Sequence, residues 1–422
     1  MRFTHSENSQ TPDNRVSGPI FSTFRSGLDR NVAVLAASLF ALSLGEELWQ
    51  AYMPAYLTAL GAGGVMVGLF GSSKDLLDSL YQYPGGWLAD RLGRRRALLI
   101  FTGLATAGYG VYAAAPAWPF VLAGLVGVMA WKAGAFPTTF AVIGDALPRS
   151  RRATAFAVQS VLVRVPRVVS APLGGIAIAS LGIIAGVRLS CAITVVLGLA
   201  VLVVQHRNFR DHRPTAPSQN AAHVRAVFSG MPPELRRLLA ADCLVRIGEG
   251  IAASFIVLFV TQVKQVSVAE YGVLYAIQQA VAIAFYLPGG RIADVTGRRG
   301  VVALTFLFFA AFPLAVRSAA SHAGLVGAFV IGGLKEIGEP ARKSLIVDLA
   351  PDDRCASTVG VYYTIRNFLV VPAGVSGGFL WQRAPHLSLD AAMVVSLAGL
   401  IVFLLTPGAK VDPAEHCGGP HS

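Results

Sequence analysis

Apolar segments of about twenty residues recur along almost the whole chain. The hydrocarbon core of a bilayer is about 30 Å thick, and a helix needs about 20 apolar residues to cross it. The segments lie at 32–58, 65–88, 97–115, 118–145, 154–179, 183–205, 238–262, 268–290, 300–318, 324–348, 356–380 and 389–407. We therefore predict an all-α membrane protein with twelve transmembrane helices.

The composition supports a chain that faces lipid. Of the 422 residues, 54% are hydrophobic and 14% are charged, whereas soluble proteins carry about 25% charged residues. A net charge of +12 raises nucleic acid as a partner, but the basic residues stand in short loops between apolar segments. That placement predicts the lipid bilayer as partner and no nucleic acid. The four cysteines show neither metal spacing nor a disulfide framework, and no cofactor is predicted.

The loops alternate in charge along the chain. The odd-numbered connections, such as 61–64 and 180–182, carry almost no charge, whereas the even-numbered ones, such as 91–96 and 206–237, are basic. Basic loops remain on the cytoplasmic side of a membrane. We predict a multi-pass protein of the inner (plasma) membrane with both termini in the cytoplasm.

An internal repeat divides the chain into halves. The stretch 84–95 reappears 204 residues later at 288–299, and Glu46 and Lys132 have counterparts 203 residues later in Glu249 and Lys335. Parallel repeats of this kind imply two six-helix bundles related by a pseudo-two-fold axis along the membrane normal. The predicted divisions are a cytoplasmic tail at 1–30, the N-terminal bundle at 31–205, a cytoplasmic linker at 206–237, the C-terminal bundle at 238–407 and a second tail at 408–422.

The cytoplasmic loops carry spaced patterns of Gly, Asp and Arg. The patterns lie at Gly86, Asp90, Gly93, Arg94 and Arg95, again at Gly290, Asp294, Gly297, Arg298 and Arg299, and, between helices 4 and 5, at Asp145, Pro148 and Arg152. These patterns resemble the signature loops of the major facilitator superfamily, and the resemblance covers nearly the whole chain. It implies a transporter of the twelve-helix type.

The signature loop also has a chemical interpretation. Its glycines permit a tight turn and close helix approach, and Asp90 is predicted to lie at the positive N-terminal end of helix 11. Arg94 and Arg95 are predicted to pair with carboxylates across the two halves and to close the cytoplasmic side. The alternative is that these arginines only fix the topology.

Several ionisable residues are predicted near the membrane midplane, where each costs about 2.5–3.5 kcal/mol on insertion scales unless it has a partner or a wet cavity. They lie on helices 1, 4, 7 and 10, which line the central cavity in the resembled fold: Glu46, Glu47, Lys132, Glu249, Lys335, Glu336 and Glu339. We predict that Glu46 faces Lys132 and that Glu249 faces Lys335. Each pair either holds its bundle together or takes part in proton coupling, for which Glu46 and Glu249 are the first candidates.

A second polar set lies on helices 2, 5, 8 and 11, between the halves. Its members are Lys74, Asp75, Asp78, Arg164, Gln278, Gln279 and Arg366. Asp75 and Asp78 share a helix face and are predicted to meet Arg366 across the interface. Arg167, one turn beyond Arg164, is predicted either to extend towards the membrane surface or to contact solute.

Taken together, these features favour a secondary transporter of a small solute. Proton coupling is predicted, and efflux of a drug or metabolite is favoured because Pro172, Gly174 and Gly175 resemble part of the family's antiporter motif. The alternatives are import of a polar anionic or zwitterionic metabolite and a non-transporting membrane sensor.

The chain contains neither a GxxxxGK[ST] loop nor an HExxH or GxSxG motif, so we predict no enzyme activity. A functional monomer is expected.

Overall fold

The computed structural model describes residues 30–134, 149–209, 224–351 and 355–405. Within these ranges the chain is almost entirely helical. Long apolar helices form because their backbone groups are satisfied within each helix, as lipid requires. The spans are α1 (Arg30–Ala59), α2 (Gly64–Leu92), α3 (Arg94–Ala114), α4 (Trp118–Ala133), α5 (Arg149–Leu181), α6 (Ile183–Asn208), α7 (Pro233–Ala253 and Phe255–Val263), α8 (Val268–Thr296), α9 (Arg298–Ser318), α10 (His322–Leu334 and Glu339–Asp348), α11 (Cys355–Val370 and Ala373–Arg383) and α12 (Pro385–Leu405).

The predicted fold class is confirmed: α1–α6 form one bundle (the N-bundle) and α7–α12 form the other (the C-bundle). Within the described residues, six helices are long and apolar enough to cross a membrane by themselves, and the bent pair in α7 makes a seventh. The other spans carry charges or breaks. Large apolar side chains such as Ile176, Val196 and Phe379 are exposed on the outside of the bundles, as expected for surfaces that face lipid.

The helices pack first within their bundles. In the N-bundle α3 packs on α4 and α6, and in the C-bundle α7 and α9 pack on α12. The bundles then meet along two seams, α2 against α11 and α5 against α8. Buried aromatic side chains fill the N-bundle core, where Trp49 packs edge-on against Tyr112 with 5.3 Å between ring centroids. A short helix at Val224–Ser229 precedes α7.

Candidate functional site

The four helices that carry the midplane charges are all irregular at that level. After Glu46, α1 changes to a 3₁₀ turn at Gln50–Tyr52, and Lys132 lies in a π-helical turn of α4 at Ala130–Gly134. α7 bends by 41° near Ser254, and α10 is interrupted between Leu334 and Glu339. Backbone irregularity at membrane depth is tolerated where it lines a cavity or is buried in protein. These breaks place the charged side chains around a common central space.

In the N-bundle, the predicted pair of Glu46 and Lys132 is present. Lys132 Nζ lies 3.1 Å from Glu46 Oε2, and it also donates to Gln50. Tyr109 donates a hydrogen bond to the other oxygen of Glu46. The carboxylate is thus held by one cation and one phenol, both from its own bundle.

Glu47, the next residue, has a different partner. Its Oε1 lies 3.0 Å from Nε of Arg167 on α5, and the residue is 3% exposed. Arg167 therefore does not extend to the membrane surface, and that alternative is wrong; because its side chain lines a central cavity, contact with solute stays a prediction. Among the described residues, Oε2 of Glu47 has no hydrogen-bond partner. A buried carboxylate oxygen without a donor is costly, so Glu47 is incompletely satisfied in this state.

In the C-bundle, the predicted pair of Glu249 and Lys335 is also present, at 2.6 Å. A second cation, Arg246, lies 2.7 Å from the other oxygen of Glu249. The Lys335 ammonium lies 5.0 Å from the centroid of the Phe309 ring, which adds a cation–π contact. Glu249 is therefore neutralised by two cations, whereas Glu46 has one.

This pair is the end of a longer array that we call the C-bundle charge network: Lys335, Glu249, Arg246, Glu339, Arg342 and Asp242. Arg246 lies 3.4 Å from Glu339, which also pairs with Arg342, and Arg342 in turn pairs with Asp242. Asp242 is 0% and Arg342 is 1% exposed. The sequence analysis missed both residues, although their spacing contains the signal, because charges at 242, 246 and 249 recur at one helical turn on a single face.

One ion pair joins the two bundles. Arg164 Nη2 on α5 lies 3.7 Å from Glu336 Oε2 on α10, and both side chains are 21% exposed. The Arg164 guanidinium also lies 4.9 Å from the centroid of the Tyr286 ring. Among the described residues, this is the only ion pair between the N-bundle and the C-bundle.

Arg366 does not contact Asp75 or Asp78, and this prediction is wrong. Its guanidinium lies 3.6 Å from Asp242 Oδ2 and bonds to Asn367. The inner part of α11 packs against both α2 and α7, and the Arg366 side chain turns towards Asp242 on α7.

Two adjoining cavities occupy the centre of the molecule. The first, of about 300 Å³, is lined by Arg164, Arg167, Glu249, Gln278, Gln279, Lys335 and Glu336, among others. The second, of about 220 Å³, is lined by Gln50, Lys74, Asp75 and Lys132 together with Trp49, Phe70 and Met129. Tyr271 and Tyr275 line both cavities. The structure thus places most of the two predicted polar sets around one central space, and Asp78 lies one turn further along α2.

Three arginines of the signature loops contact groups of their own bundles, so the predicted carboxylate partner in the opposite half is wrong for Arg95, whereas that of Arg94 stays a prediction. Arg95 donates to the backbone carbonyl of His206 at the end of α6, and Arg299 donates to that of Phe403 at the end of α12 at 3.3 Å. The last carbonyls of a helix lack intrahelical partners and attract cations. Arg298 pairs with Asp348 in the same bundle.

The glycines of these loops behave as predicted at the turns. Gly93 and Gly297 have φ of 86° and 97°, the left-handed region that favours glycine, and each separates two spans. Arg94 is buried, and Gly290 lies on α8 near Pro340. Asp145 lies outside the described residues, as do the side chains of Asp90, Arg152 and Asp294 and the surroundings of Gly86.

The ends of the seams remote from the basic loops are tightly closed. The backbone N–H of Val375 donates to Ser72 Oγ at 3.0 Å, and a Cβ added to Gly378 would lie 2.6 Å from the carbonyl oxygen of Gly64. On the other seam, a Cβ added to Gly175 would lie 3.0 Å from the carbonyl oxygen of Val268. The bundles therefore meet backbone to backbone at the end that the loop charges assign to the outside.

Two six-helix bundles around a charged central cavity define a class of protein, the two-bundle membrane transporters. The sequence model of the Major Facilitator Superfamily matches residues 22–240 and 238–416, and the chain belongs to this family. The family assignment made from the signature loops is thereby confirmed. The protein is a membrane transporter of this type.

Relatives with similar sequence or fold are distant. An uncharacterized MFS-type transporter of Methanocaldococcus jannaschii is 20% identical over 389 residues, which cover 90% of this chain and 95% of the relative. A nucleoside transporter superposes with a TM-score of 0.74 at 14% identity, covering 88% of this chain and 99% of its own. An inward-facing, occupied bacterial homologue of the human lysosomal transporter Spinster gives a TM-score of 0.71 at 18% identity, with coverages of 90% and 97%. At these identities the structural likeness concerns the fold.

Proposed function

We propose that this protein moves a small solute across the plasma membrane by alternating access and couples that movement to protons. The two bundles rock about the central cavities, opening them first to one side and then to the other. Among the loops and helices described, the closed outer seams correspond to one end state of this cycle. The monomer contains both bundles and is the proposed functional unit.

The observation that carries the coupling proposal is the ion pair of Arg164 and Glu336. Because its members belong to different bundles, rocking changes their separation directly, whereas the pairs of Glu46 and Glu249 lie within one bundle. A carboxylate that loses its cation in a poorly solvated cavity favours the protonated form, and a returning guanidinium favours the ionised form. Glu336 is therefore the carboxylate whose cation would change with the access state, and we assign the proposed proton coupling to it.

Glu46 and Glu249 remain candidates with a different trigger. Each would be released only if solute competed for Lys132 or Lys335, since rocking alone leaves both partners in place. Glu249 also keeps Arg246, at 2.7 Å, when Lys335 is withdrawn. The geometry thus ranks Glu336 ahead of the two residues that the sequence alone put first.

For the direction of transport we propose export in exchange for protons. The basis is the resemblance of Pro172, Gly174 and Gly175 to the antiporter motif, and these glycines lie in the seam where α5 approaches α1 and α8. Import of an anionic or zwitterionic metabolite is the alternative direction. The solved neighbours bind solutes as different as a nucleoside and 5-aminolevulinic acid, so the fold does not choose among them.

The coupling proposal is tested in proteoliposomes that enclose a pH-sensitive dye. Amino acids, organic acids, nucleosides and organic cations are screened for solute-dependent pH change, and Glu336→Gln is then compared with wild type. The variant should lose at least tenfold in solute-driven proton flux while retaining exchange of labelled for unlabelled solute. Asp390→Asn, which breaks the ion pair with Arg317 at the exposed rim, should leave both activities unchanged.

Two outcomes would count against this assignment. Proton flux that persists in Glu336→Gln would remove Glu336 as the coupling residue, and the same assay on Glu46→Gln and Glu249→Gln would then test the other candidates. If the wild-type protein moves no solute and no protons across the whole screen, the sensor alternative gains and the transport proposal fails.

A further inference from the structure

The second cavity contains a cation and an anion that have no direct ion-pair partner among the described residues. Lys74 and Asp75, adjacent on α2, both line it. Among the described residues, neither side chain has an ion-pair partner within 4.0 Å or a side-chain hydrogen bond. Consecutive residues on a helix point in different directions, so Lys74 and Asp75 act on each other through space without forming a direct ion pair.

The other cations that line the two cavities differ in this respect. Lys132, Lys335, Arg164 and Arg167 each have a carboxylate within 4.0 Å. Lys74 instead lies in the positive fields of Lys132 and Arg167 and in the negative fields of Asp75 and Asp78, without an ion pair to either carboxylate among the described residues, and its ammonium has three donors to offer. An uncompensated charge at this depth is expensive, and such residues mark the path of a solute or an ion. A ligand that neutralises both groups at once would remove that cost.

The other residues that line the second cavity indicate what the uncharged part of the ligand must be. Apart from Gln50, Lys132 and Ser254, the rest of the lining is mainly aromatic or aliphatic, with Trp49, Phe70, Leu125 and Met129. A volume of about 220 Å³ corresponds to about seven water molecules at ~30 Å³ each, which is room for a small organic molecule. The cavity therefore fits a compact solute with one apolar group.

We propose, on the basis of the transport function proposed above, that the solute is a small zwitterion with an apolar side group. Lys74 binds its carboxylate, Asp75 binds its ammonium, and Trp49, Phe70 and Met129 contact the apolar part. Because Lys132 lies in the same cavity, the solute carboxylate also approaches the Glu46 pair. The proposal thereby connects solute binding to a carboxylate of the N-bundle.

The test is equilibrium binding to the purified full-length protein in detergent, measured by displacement or by thermal stabilisation. The probes are leucine, 4-methylpentanoate, which lacks the amine, and 3-methylbutylamine, which lacks the carboxylate, with the matching trio of phenylalanine, 3-phenylpropanoate and 2-phenylethylamine. At least one zwitterion should bind at least tenfold more tightly than both of its analogues. If neither zwitterion shows this preference, the proposal is overturned.

Two variants then assign the charges. Lys74→Met should lose the preference for the zwitterion over the amine, and Asp75→Asn should lose the preference for the zwitterion over the carboxylate. These are opposite changes in selectivity, which a general loss of folding would not produce. Lys264→Met, whose ammonium bonds to backbone carbonyls near the outer rim, and Asp390→Asn are the matched controls and should bind like wild type.

Failure of this proposal is separable from failure of the transport proposal. Unchanged selectivity in both variants overturns the assignment of Lys74 and Asp75, whatever the proton flux. Zwitterion binding that depends on both residues, together with the absence of any flux in proteoliposomes, supports the site and contradicts the transport function.

Discussion

The two bundles share a repeat but handle buried charge in different ways. In the N-bundle, Glu46 and Glu47 each have one cation, and Lys74 and Asp75 have no ion-pair partner among the described residues. In the C-bundle, six residues from Lys335 to Asp242 form one continuous network. The charged groups of the N-bundle are therefore partly exposed to the cavity, whereas those of the C-bundle largely compensate one another.

The repeat shows which residues make the difference. At the spacing of 203 residues, Leu39 stands where the C-bundle has Asp242, Ser43 where it has Arg246, and Phe136 where it has Glu339. The residue pairs common to both halves are Glu46 with Lys132 and Glu249 with Lys335. The pair common to both halves thus belongs to the repeated unit, and in the C-bundle it is part of a larger network, whereas the N-bundle has no such extension among the described residues.

The largest loss of stability is predicted for a variant that removes a cation from the buried end of the C-bundle charge network. Arg342→Met removes a cation from Asp242, which is fully buried, and breaking a buried pair by removing one partner costs about 3–5 kcal/mol. The free energy of unfolding should fall by that amount, measured by thermal or denaturant unfolding in detergent. Arg366, at 3.6 Å from Asp242, compensates only in part.

The N-bundle supplies a control for this prediction. The residues that correspond to Asp242 and Arg342 are Leu39 and Thr139, so the double variant Asp242→Leu, Arg342→Thr copies the other half. Replacing both members of a buried pair costs less than removing one. A double variant that is as unstable as Arg342→Met would contradict the view that the unpaired charge, rather than the lost packing, causes the damage.

A smaller effect is expected in the N-bundle. Glu46→Gln leaves Lys132 with Gln50 and leaves Tyr109 an oxygen to donate to. The loss should be about 1–3 kcal/mol, the range for one buried charged hydrogen bond. The same unfolding assay compares the two bundles directly. If Glu46→Gln destabilised the protein more than Arg342→Met, the contrast between a compensated and an adaptable bundle would be wrong.

The smallest effect is predicted at the outer rim. Arg317 and Asp390 form an ion pair in the C-bundle with the arginine 43% exposed, and exposed pairs contribute about 0–1 kcal/mol. Arg317→Gln should therefore change the unfolding midpoint little. A loss comparable to that of Arg342→Met would show that membership of the C-bundle, and not burial, determines the cost.

The features that could be predicted from the sequence are those that depend only on the position of a residue along its helix. The spans, the turns at Gly93 and Gly297, and the pairs within each bundle follow from hydropathy, glycine geometry and equal depth in the membrane. Sequence reasoning did not predict which partner a long side chain selects when several lie at equal depth. Arg366 turns to Asp242 on α7 rather than to the carboxylates of α2, although α11 packs against both helices, and this choice is a property of the packed bundles.

The sequence also failed where a partner is a backbone group. Arg95 was predicted to pair with a carboxylate, yet it donates to one of the last carbonyls of α6, and Arg299 bonds in the same way at the end of α12. The last carbonyls of every helix lack intrahelical partners. An arginine in a loop beside a helix end can therefore donate hydrogen bonds to these carbonyls, whatever residues carry them.

The glycine contacts between α2 and α11 have a consequence for how the molecule opens. Where Gly64 and Gly68 meet Gly374 and Gly378, backbone touches backbone, and no side chain has to change rotamer when the surfaces part. Separation there exchanges protein contact for lipid or water without a rotamer barrier. A single methyl group has no room at Gly68, so Gly68→Ala would act as a wedge and yield a protein arrested with its cavities open to the outside, a form suited to raising state-specific antibodies.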